Sequence, residues 1–324
     1  MKTVLITGAG GFIGSHLTEL CVARGLKVRA FVRYNSMNKR GWLEDSKYKD
    51  DIEFISGDIR DYDSVVKAMK GSEEVYHLAA LIGIPYSYVS PLAYIKTNVE
   101  GTYNVLEAAK ELNLKKILVT STSETYGTAQ YVPIDEKHPA NGQSPYAATK
   151  VAADQLAQSY YLSFGLPVKI IRPFNTFGPR QSARAIIPTI ITQLLNDKKQ
   201  LRLGNTNPTR DFTFVKDTAS AFLEVAKAKG LYADVVNVGM NEEISIKDLA
   251  YLIGKILKKP VDIAEDKQRV RRKGTEVERL RCQNAKIRKM TNWKPRYSLE
   301  KGLVETIAFM KDQLSLYKAD IYNI

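Results

Sequence analysis

The stretch Thr3-Val-Leu-Ile-Thr7-Gly8-Ala-Gly-Gly11-Phe12-Ile13-Gly14 decides the fold. Its first five residues are apolar or β-branched, the composition of a strand buried on both faces in a parallel sheet. Glycines at 8, 11 and 14 follow at once, and Ser15 to Arg24 then carries helical periodicity that Gly25 closes as a C-cap. Strand, glycine turn and helix in that order make a phosphate cradle. Gly8 permits the tight turn, Gly11 the approach of a pyrophosphate, and Gly14 close helix–strand contact. The anion would sit at the positive end of the helix, on residues opening with Phe12 and Ile13. A second apolar strand, Lys27-Val-Arg-Ala-Phe-Val32, completes the context expected of a dinucleotide site.

The residue after that second strand bears on the choice of dinucleotide. NAD sites usually place a carboxylate there to accept from the ribose 2′-OH. Here Arg33 stands in its place, followed by Asn35, Ser36, Lys39 and Arg40. Three cations and two small polar residues suit a 2′-phosphate, so NADP is expected, with NAD the alternative. The competing reading is a solvated basic loop.

Further along, strand-like and helical runs alternate. Ile52–Ser56 leads to Gly57-Asp58-Ile59 and a helix over Tyr62–Met69; Glu74–Leu78 leads to Ala79-Ala80 and a helix from about Pro91 to Asn113. Lys116–Thr120, a helix over Tyr146–Phe164 and Val168–Arg172 follow. Repeated alternation of this kind predicts an α/β, Rossmann-like, doubly wound parallel sheet with right-handed crossovers. From Pro173 the pattern loosens, with helices expected at Ile186–Leu195, Ile246–Leu257 and Leu299–Leu314. Two units are expected: residues 1–174 with 211–240 for the dinucleotide, and a smaller mixed α/β substrate lobe of 175–210 with 241–324.

Ligands in such sheets bind beyond the strands' C-terminal ends. Thr122-Ser123-Glu124 falls at one of those ends, and Tyr146 lies 22 residues past Glu124 in the run Tyr146-Ala-Ala-Thr-Lys150. Tyr146 and Lys150 are spaced i,i+4 and share a helix face. An ammonium beside a phenol favours the phenolate and is expected to lower its pKa, giving a base for a sugar hydroxyl. Glu124 offers a second base and Ser123 a proton donor. Alcohol oxidation needs one base; oxidation followed by elimination uses two and a donor.

Composition narrows the classes. The chain has 324 residues with 48 Lys/Arg and 35 Asp/Glu, a net charge of +13. Ten Lys/Arg against two Glu fall between Lys267 and Lys289, a field suited to an anionic diphosphate. No basic motif interleaved with aromatics appears, so nucleic acid is not an expected partner. No apolar run approaches the roughly 18 residues of a membrane span. Met1-Lys-Thr-Val-Leu5 enters a strand directly, which reads as no signal peptide, and two scattered cysteines, Cys21 and Cys282, fit a reducing cytoplasm. His16, His77 and His138 show no metal-ligand spacing, so no metal is expected.

The ordered set Gly8-x-x-Gly11-x-x-Gly14, Asp58, His77-Leu78-Ala79-Ala80, Asn98, Tyr146-x-x-x-Lys150 and Arg172-Pro-Phe-Asn175 resembles the extended short-chain dehydrogenase/reductases over essentially the whole chain. Within them, Thr122-Ser123-Glu124-x-Tyr-Gly127 resembles the active-site run of nucleotide-sugar 4,6-dehydratases, with Thr-Ser-Glu as in GDP-mannose 4,6-dehydratase. Val32-Arg-Tyr-Asn-Ser36, Gln143-Ser-Pro-Tyr146 and Gly178-Pro-Arg-Gln-Ser-Ala-Arg184 most resemble dehydratases of the legionaminic acid pathway, which act on N-acetylglucosamine carried by UDP or GDP. The resemblance implies catalytic roles for Thr122, Ser123, Glu124, Tyr146 and Lys150. It implies cofactor contacts at Gly8, Gly11, Phe12, Ile13, Gly14, Arg33, Asn35, Ser36, Asp58, Ile59, Leu78, Ala79, Ala80, Asn98, Thr120, Tyr146 and Lys150, with Asn98 also supporting Lys150. Substrate contacts are implied at Thr122, Asn175, Arg184, Arg210, Arg271 and Glu276. Arg272 departs from the Arg-x-Arg-Pro run of that group, which loosens the register of the phosphate-binding arginine. A homodimer through a four-helix bundle is also implied, with Val99, Leu106, Ala148 and Leu156 as contacts. Two rivals stay open: a 4-epimerase or reductase of the same family, and a dinucleotide-sensing scaffold without catalysis.

Overall fold

The computed structural model describes residues 2–270 and 274–318. Seven strands form its central sheet: β1 (Thr3–Thr7), β2 (Lys27–Arg33), β3 (Ile52–Gly57), β4 (Glu74–His77), β5 (Lys116–Thr120), β6 (Val168–Pro173) and Val235–Val238. From edge to edge the last of these lies beside β6, then come β5, β4, β1, β2 and β3. Every pairing in it is parallel. Thr7 pairs with both Phe31 and His77, so the C-terminal ends of the middle strands lie level.

Strand alternation sorts the core into two layers. Val4, Ile6, Val28, Ala30, Tyr76, Leu118 and Val236 face one side, where helices α1 (Phe12–Ala23) and Val215–Lys227 pack through Leu17, Cys21 and Phe222. Leu5, Phe31, Val75, Ile117, Val119 and Ile170 face the other, against α2 (Tyr62–Met69) and the helices Gly101–Glu111 and Pro145–Phe164. Helices on both faces of a parallel sheet make the doubly wound α/β architecture expected from the alternation.

The mid-chain helix differs from its expectation. It runs as α3 (Ile84–Val89), α4 (Pro91–Tyr94), a π turn over Ile95–Glu100 and α5 (Gly101–Glu111). A π turn inserts one residue per turn and re-aims the side chains that follow. Asn98 lies within it, 1% exposed. The long helix α6 (Pro145–Phe164) begins with Pro at its first position and a Ser144 cap, whose side-chain oxygen accepts from the Ala147 amide.

The remaining segments build three small two-stranded sheets: Asn175–Phe177 with Phe212–Phe214 and Leu201–Leu203 with Ile263–Glu265, both parallel, and Thr209–Arg210 with Ile244–Ser245, antiparallel. Among the described residues, helices α7 (Ile186–Leu195), α8 (Val215–Lys227), α9 (Ile246–Leu257), α10 (Ala285–Met290) and α11 (Leu299–Asp312) lie between and after these strands. Phe177, Phe212 and Phe214 share one core with α7, α9 and α11. The basic run is not a wholly solvated stretch, because Leu280 and Cys282 within it are fully buried beside Ile134.

Candidate active site

The sheet's C-terminal edge opens into a cavity of about 1100 Å³, at the upper end of small-ligand sites, which run to roughly 1,000 Å³. Its floor is the glycine turn. Gly8 holds φ +70°, and a Cβ on Gly14 would lie 2.2 Å from the Gly8 carbonyl oxygen. Helix α1 therefore starts against the turn as closely as backbone allows, leaving room above it for a flat anionic ligand. Trp42 donates its amide to the Gly10 carbonyl at 3.0 Å, which folds the loop after β2 onto the turn and brings Arg33, Lys39 and Arg40 to the rim. The Arg40 guanidinium stacks 4.3 Å from the Phe54 ring centre.

Behind the turn runs a buried chain of hydrogen bonds with a fixed direction. The Thr7 hydroxyl accepts from the amides of Leu78 and Ala79, so its own proton goes to His77 Nδ1 at 2.8 Å. His77 is thus the Nε2–H tautomer and donates to Thr102, 3.1 Å away, which donates to the Asn98 carbonyl at 2.6 Å. Burial pushes His77 down to about 3, so the ring stays neutral. The Asn98 amide grips Leu81 from both sides, accepting from its N–H at 2.8 Å and donating to its carbonyl at 3.0 Å. It also donates to Thr149, which donates to the Tyr146 carbonyl at 2.7 Å. The π turn is what carries Asn98 into this position.

Thr122, Ser123 and Glu124 leave β5 on a short 3₁₀ turn, with Thr122 as its N-cap. All three line the cavity, as do Tyr146 and Lys150 of α6. Lys150 is 4% exposed and donates to the Thr120 carbonyl at 2.5 Å. The phenol differs from its expectation. Burial pushes Tyr146 above the usual phenol range, opposed by a hydrogen bond from Thr122 and reinforced by the Glu124 charge. Burial also lowers Lys150. Spacing shows the neighbouring ammonium, whereas desolvation, which acts on both groups against their charged forms, comes only with the packed fold. The Tyr94 ring meets Tyr146 edge-on at 6.2 Å.

A model of the GDP-mannose 4,6 dehydratase family matches residues 5–306. The chain belongs to that family. A putative UDP-glucose 4-epimerase of Methanocaldococcus jannaschii is 31% identical, covering 95% of this chain and 98% of the relative. The human dTDP-D-glucose 4,6-dehydratase is also 31% identical, covering 98% and 92%. Among solved structures, the dTDP-glucose 4,6-dehydratase of Streptomyces venezuelae, with NAD bound, superimposes with a TM-score of 0.88 at 27% identity, covering 98% and 99%. The family resemblance carried by the motifs therefore holds, and the relatives' names span both dehydratase and epimerase chemistry.

The other expected site residues of this family member divide into two groups. Gly8, Gly11, Phe12, Ile13, Gly14, Arg33, Asn35, Leu78, Ala79, Ala80 and Thr120 line the cavity, and so do Asn175, Arg184, Arg210 and Glu276. Ser36, Asp58, Ile59 and Asn98 are not among the lining residues. Asn35 spends its side chain on its own loop, donating to the Lys39 carbonyl and accepting from the Met37 and Lys39 amides. Asp58 is forked by the Arg60 guanidinium, which holds its carboxyl below the usual range. Ile59 is core, packed against Gly101. Arg210 donates to Glu276 at 3.2 Å, so these two meet directly on the cavity wall. Arg271 and Arg272 lie outside the described residues. Leu106, expected at a dimer contact, is instead fully buried among the core residues beneath α5; Tyr103, Ile95 and Leu92 are exposed apolar residues of that region.

Sequence reasoning passed over Tyr94, the strip 82–85 and Arg269, all except Tyr94 lining the cavity. Asp154 behind Lys150 is likewise absent from that reasoning, and Arg172 figures there only within the Arg172-Pro-Phe-Asn175 motif, without its tie to Asp154. Asp154 had a signal, since it lies i,i+4 from Lys150. Tyr94 and the strip had none, because the turns that place them are set by tertiary contacts.

Proposed function

We propose that the protein is a nucleotide-sugar 4,6-dehydratase acting on N-acetylglucosamine linked to UDP or GDP. The observation that carries this reading is Glu124, which lines the same cavity as Tyr146 and Lys150 on a turn that also presents Thr122 and Ser123. An epimerase has no task for a second base there.

The cradle at residues 8–14 suits a nicotinamide dinucleotide, and Arg33, Lys39 and Arg40 at the rim favour NADP over NAD. NAD, found in several solved relatives, is the alternative. When bound, that group supplies the hydride acceptor for oxidation at C4 and the donor for reduction at C6. Tyr146 takes the proton of the sugar 4-OH as the phenolate, a form that burial opposes and that the hydrogen bond from Thr122 and the Lys150 ammonium favour. Thr122 holds the same hydroxyl. The resulting 4-ketone acidifies the C5 hydrogen, which Glu124 removes as a proton; the electron pair forms the C5–C6 double bond as hydroxide leaves C6, protonated to water with help from Ser123. Asn175, Arg184, Arg210, Glu276 and Arg271 are the proposed nucleotide and diphosphate contacts. Residues 1–174 with 211–240 hold the dinucleotide and 175–210 with 241–324 the sugar nucleotide.

The exposed residues Leu92, Ile95 and Tyr103 on the α4–α5 side support a homodimer across these helices and α6. Buried free Cys21 and Cys282 suit a reducing cytoplasm, and no described helix is long and apolar enough to cross a membrane.

The test is to incubate the protein with UDP-N-acetylglucosamine, GDP-N-acetylglucosamine, GDP-mannose and dTDP-glucose and follow mass. Loss of one water with a 4-keto-6-deoxy product supports the reading. An isomer of unchanged mass from every turned-over substrate replaces it with the epimerase reading.

A further inference from the structure

Two cations are buried side by side behind the reacting residues. Lys150 on α6 and Arg172 on β6 are 4% and 5% exposed. Isolated charges at such depth are costly unless a counter-charge is present. Asp154, 3% exposed, stands one helical turn beyond Lys150 on the same face of α6. Its Oδ2 accepts from Arg172 Nη2 at 2.7 Å and from the Ser121 hydroxyl at 2.6 Å. Ser121 in turn accepts from Arg172 Nε at 3.2 Å, closing a three-membered ring of contacts. The other carboxylate oxygen, Oδ1, is buried and takes no hydrogen bond. Arg172's outer face is covered by the Tyr126 ring, 4.4 Å from the guanidinium carbon. Its charge therefore has a low-dielectric neighbour on one side and Asp154 on the other.

We propose that Asp154 is the counter-charge of the reacting site, a positioning residue that serves Arg172 and Lys150 together and keeps Lys150 an ammonium beside the Tyr146 phenol. The role given to Tyr146 and Lys150 rests on the function proposed above. The groups that face Lys150 are Tyr146 and Asp154 from its own helix, Arg172 from β6, neutral His77 from β4 and the Thr120 carbonyl of β5; Glu124 and Tyr94 bear on Tyr146. Among them Asp154 raises the lysine while burial and Arg172 lower it. With the carboxylate neutralised, two cations face each other unshielded, and the lysine is the one able to shed its proton.

The experiment titrates Lys150 in the whole protein by carbon-13 NMR of labelled lysine, its signal identified by its loss in Lys150→Met. Asp154→Asn is expected to lower the deprotonation midpoint by about one pH unit or more, and Asp154→Glu to keep it near the wild-type value. Arg172→Met is expected to raise it, because a like charge is removed and the carboxylate is left to the lysine alone. If Asp154→Asn does not fold, Arg172→Met and the double variant Asp154→Asn/Arg172→Met decide; the double variant removes the opposing influences together and is expected near wild type. Midpoints that stay within about 0.3 of wild type in every folded variant overturn the proposal, since a merely structural Asp154 would alter stability and leave the titration in place. Turnover of UDP-N-acetylglucosamine against pH supplies the second readout, its alkaline limb moving with the lysine midpoint. Absence of turnover in the wild type with a responsive lysine titration would fault the proposed function and leave the counter-charge standing.

Discussion

Gly14→Ala places one methyl group where the fold has no room for it. The added Cβ would lie 2.2 Å from the Gly8 oxygen, 2.9 Å from its carbonyl carbon and 3.0 Å from Ala9 Cα, all backbone. Ordinary contact begins at 3.4 Å, so the helix start must move about 1.2 Å from the turn. Overpacking of this kind costs about 1–3 kcal/mol, and the better helix propensity of alanine returns about 1 kcal/mol. The net loss of stability is therefore modest. Affinity for the dinucleotide is the sensitive quantity, because a shift of that size breaks backbone N–H contacts to an anion, each worth roughly 1.5–3 kcal/mol. Loss of one such contact weakens binding by about 10- to 100-fold. Titrating ligand-free protein with NADP and NAD by calorimetry, beside a thermal melt, reads both effects. Gly25→Ala is the control. Gly25 holds φ +74° with nothing within 4 Å of its added Cβ, so it should lose about 1–2 kcal/mol to backbone strain alone and bind the dinucleotide normally. Wild-type affinity in Gly14→Ala, or equal losses in both variants, would refute the assignment of this turn as the phosphate cradle.

Tyr146→Phe should abolish transient reduced nicotinamide and lower turnover by at least roughly 10²–10⁴-fold, whereas Glu124→Gln should still reduce some bound cofactor while exchange of the C5 hydrogen with solvent collapses; near-normal turnover with normal exchange in Glu124→Gln would remove the dehydratase mechanism. Arg33→Asp should shift preference from NADP toward NAD in a binding titration, and equal affinity of the wild type for both would sink the NADP choice. His77 is held neutral by burial, at about 3 in the fold, so the unfolded chain takes up a proton below its ordinary value of about 6.5 while the folded chain does not. That contribution to stability is present above about 6.5 and is lost as pH falls through the window below it; His77→Asn, measured by urea unfolding from pH 4 to 6, should flatten the slope by up to about 1.4 kcal/mol per pH unit. Sedimentation at micromolar concentration should give a dimer, and Ile95→Glu a monomer.

Much of this protein was legible as sequence because its signals are local. The run of residues 3–14 needs only strand composition and glycine spacing to be read, and the helices Tyr62–Met69, Ile186–Leu195 and Ile246–Leu257 end where their periodicity ends. Tyr146 and Lys150 share a helix face by spacing alone. What the tertiary structure decided is of another kind. The burial of Leu106 is not a property of the segment itself; it follows from which face of α5 the sheet covers. Asn35 and Asp58 each hold a partner that spacing does not show, in Asn35's own loop and in Arg60, because short polar side chains bond locally. The Tyr146 phenol shows the difference most plainly. Its neighbour Lys150 is visible from spacing, but the sign of its shift depends on how much water the fold removes and on which charges, Glu124 among them, come near from other parts of the chain. Spacing determines which groups can meet on one element; desolvation and long-range charge exist only after the elements have packed.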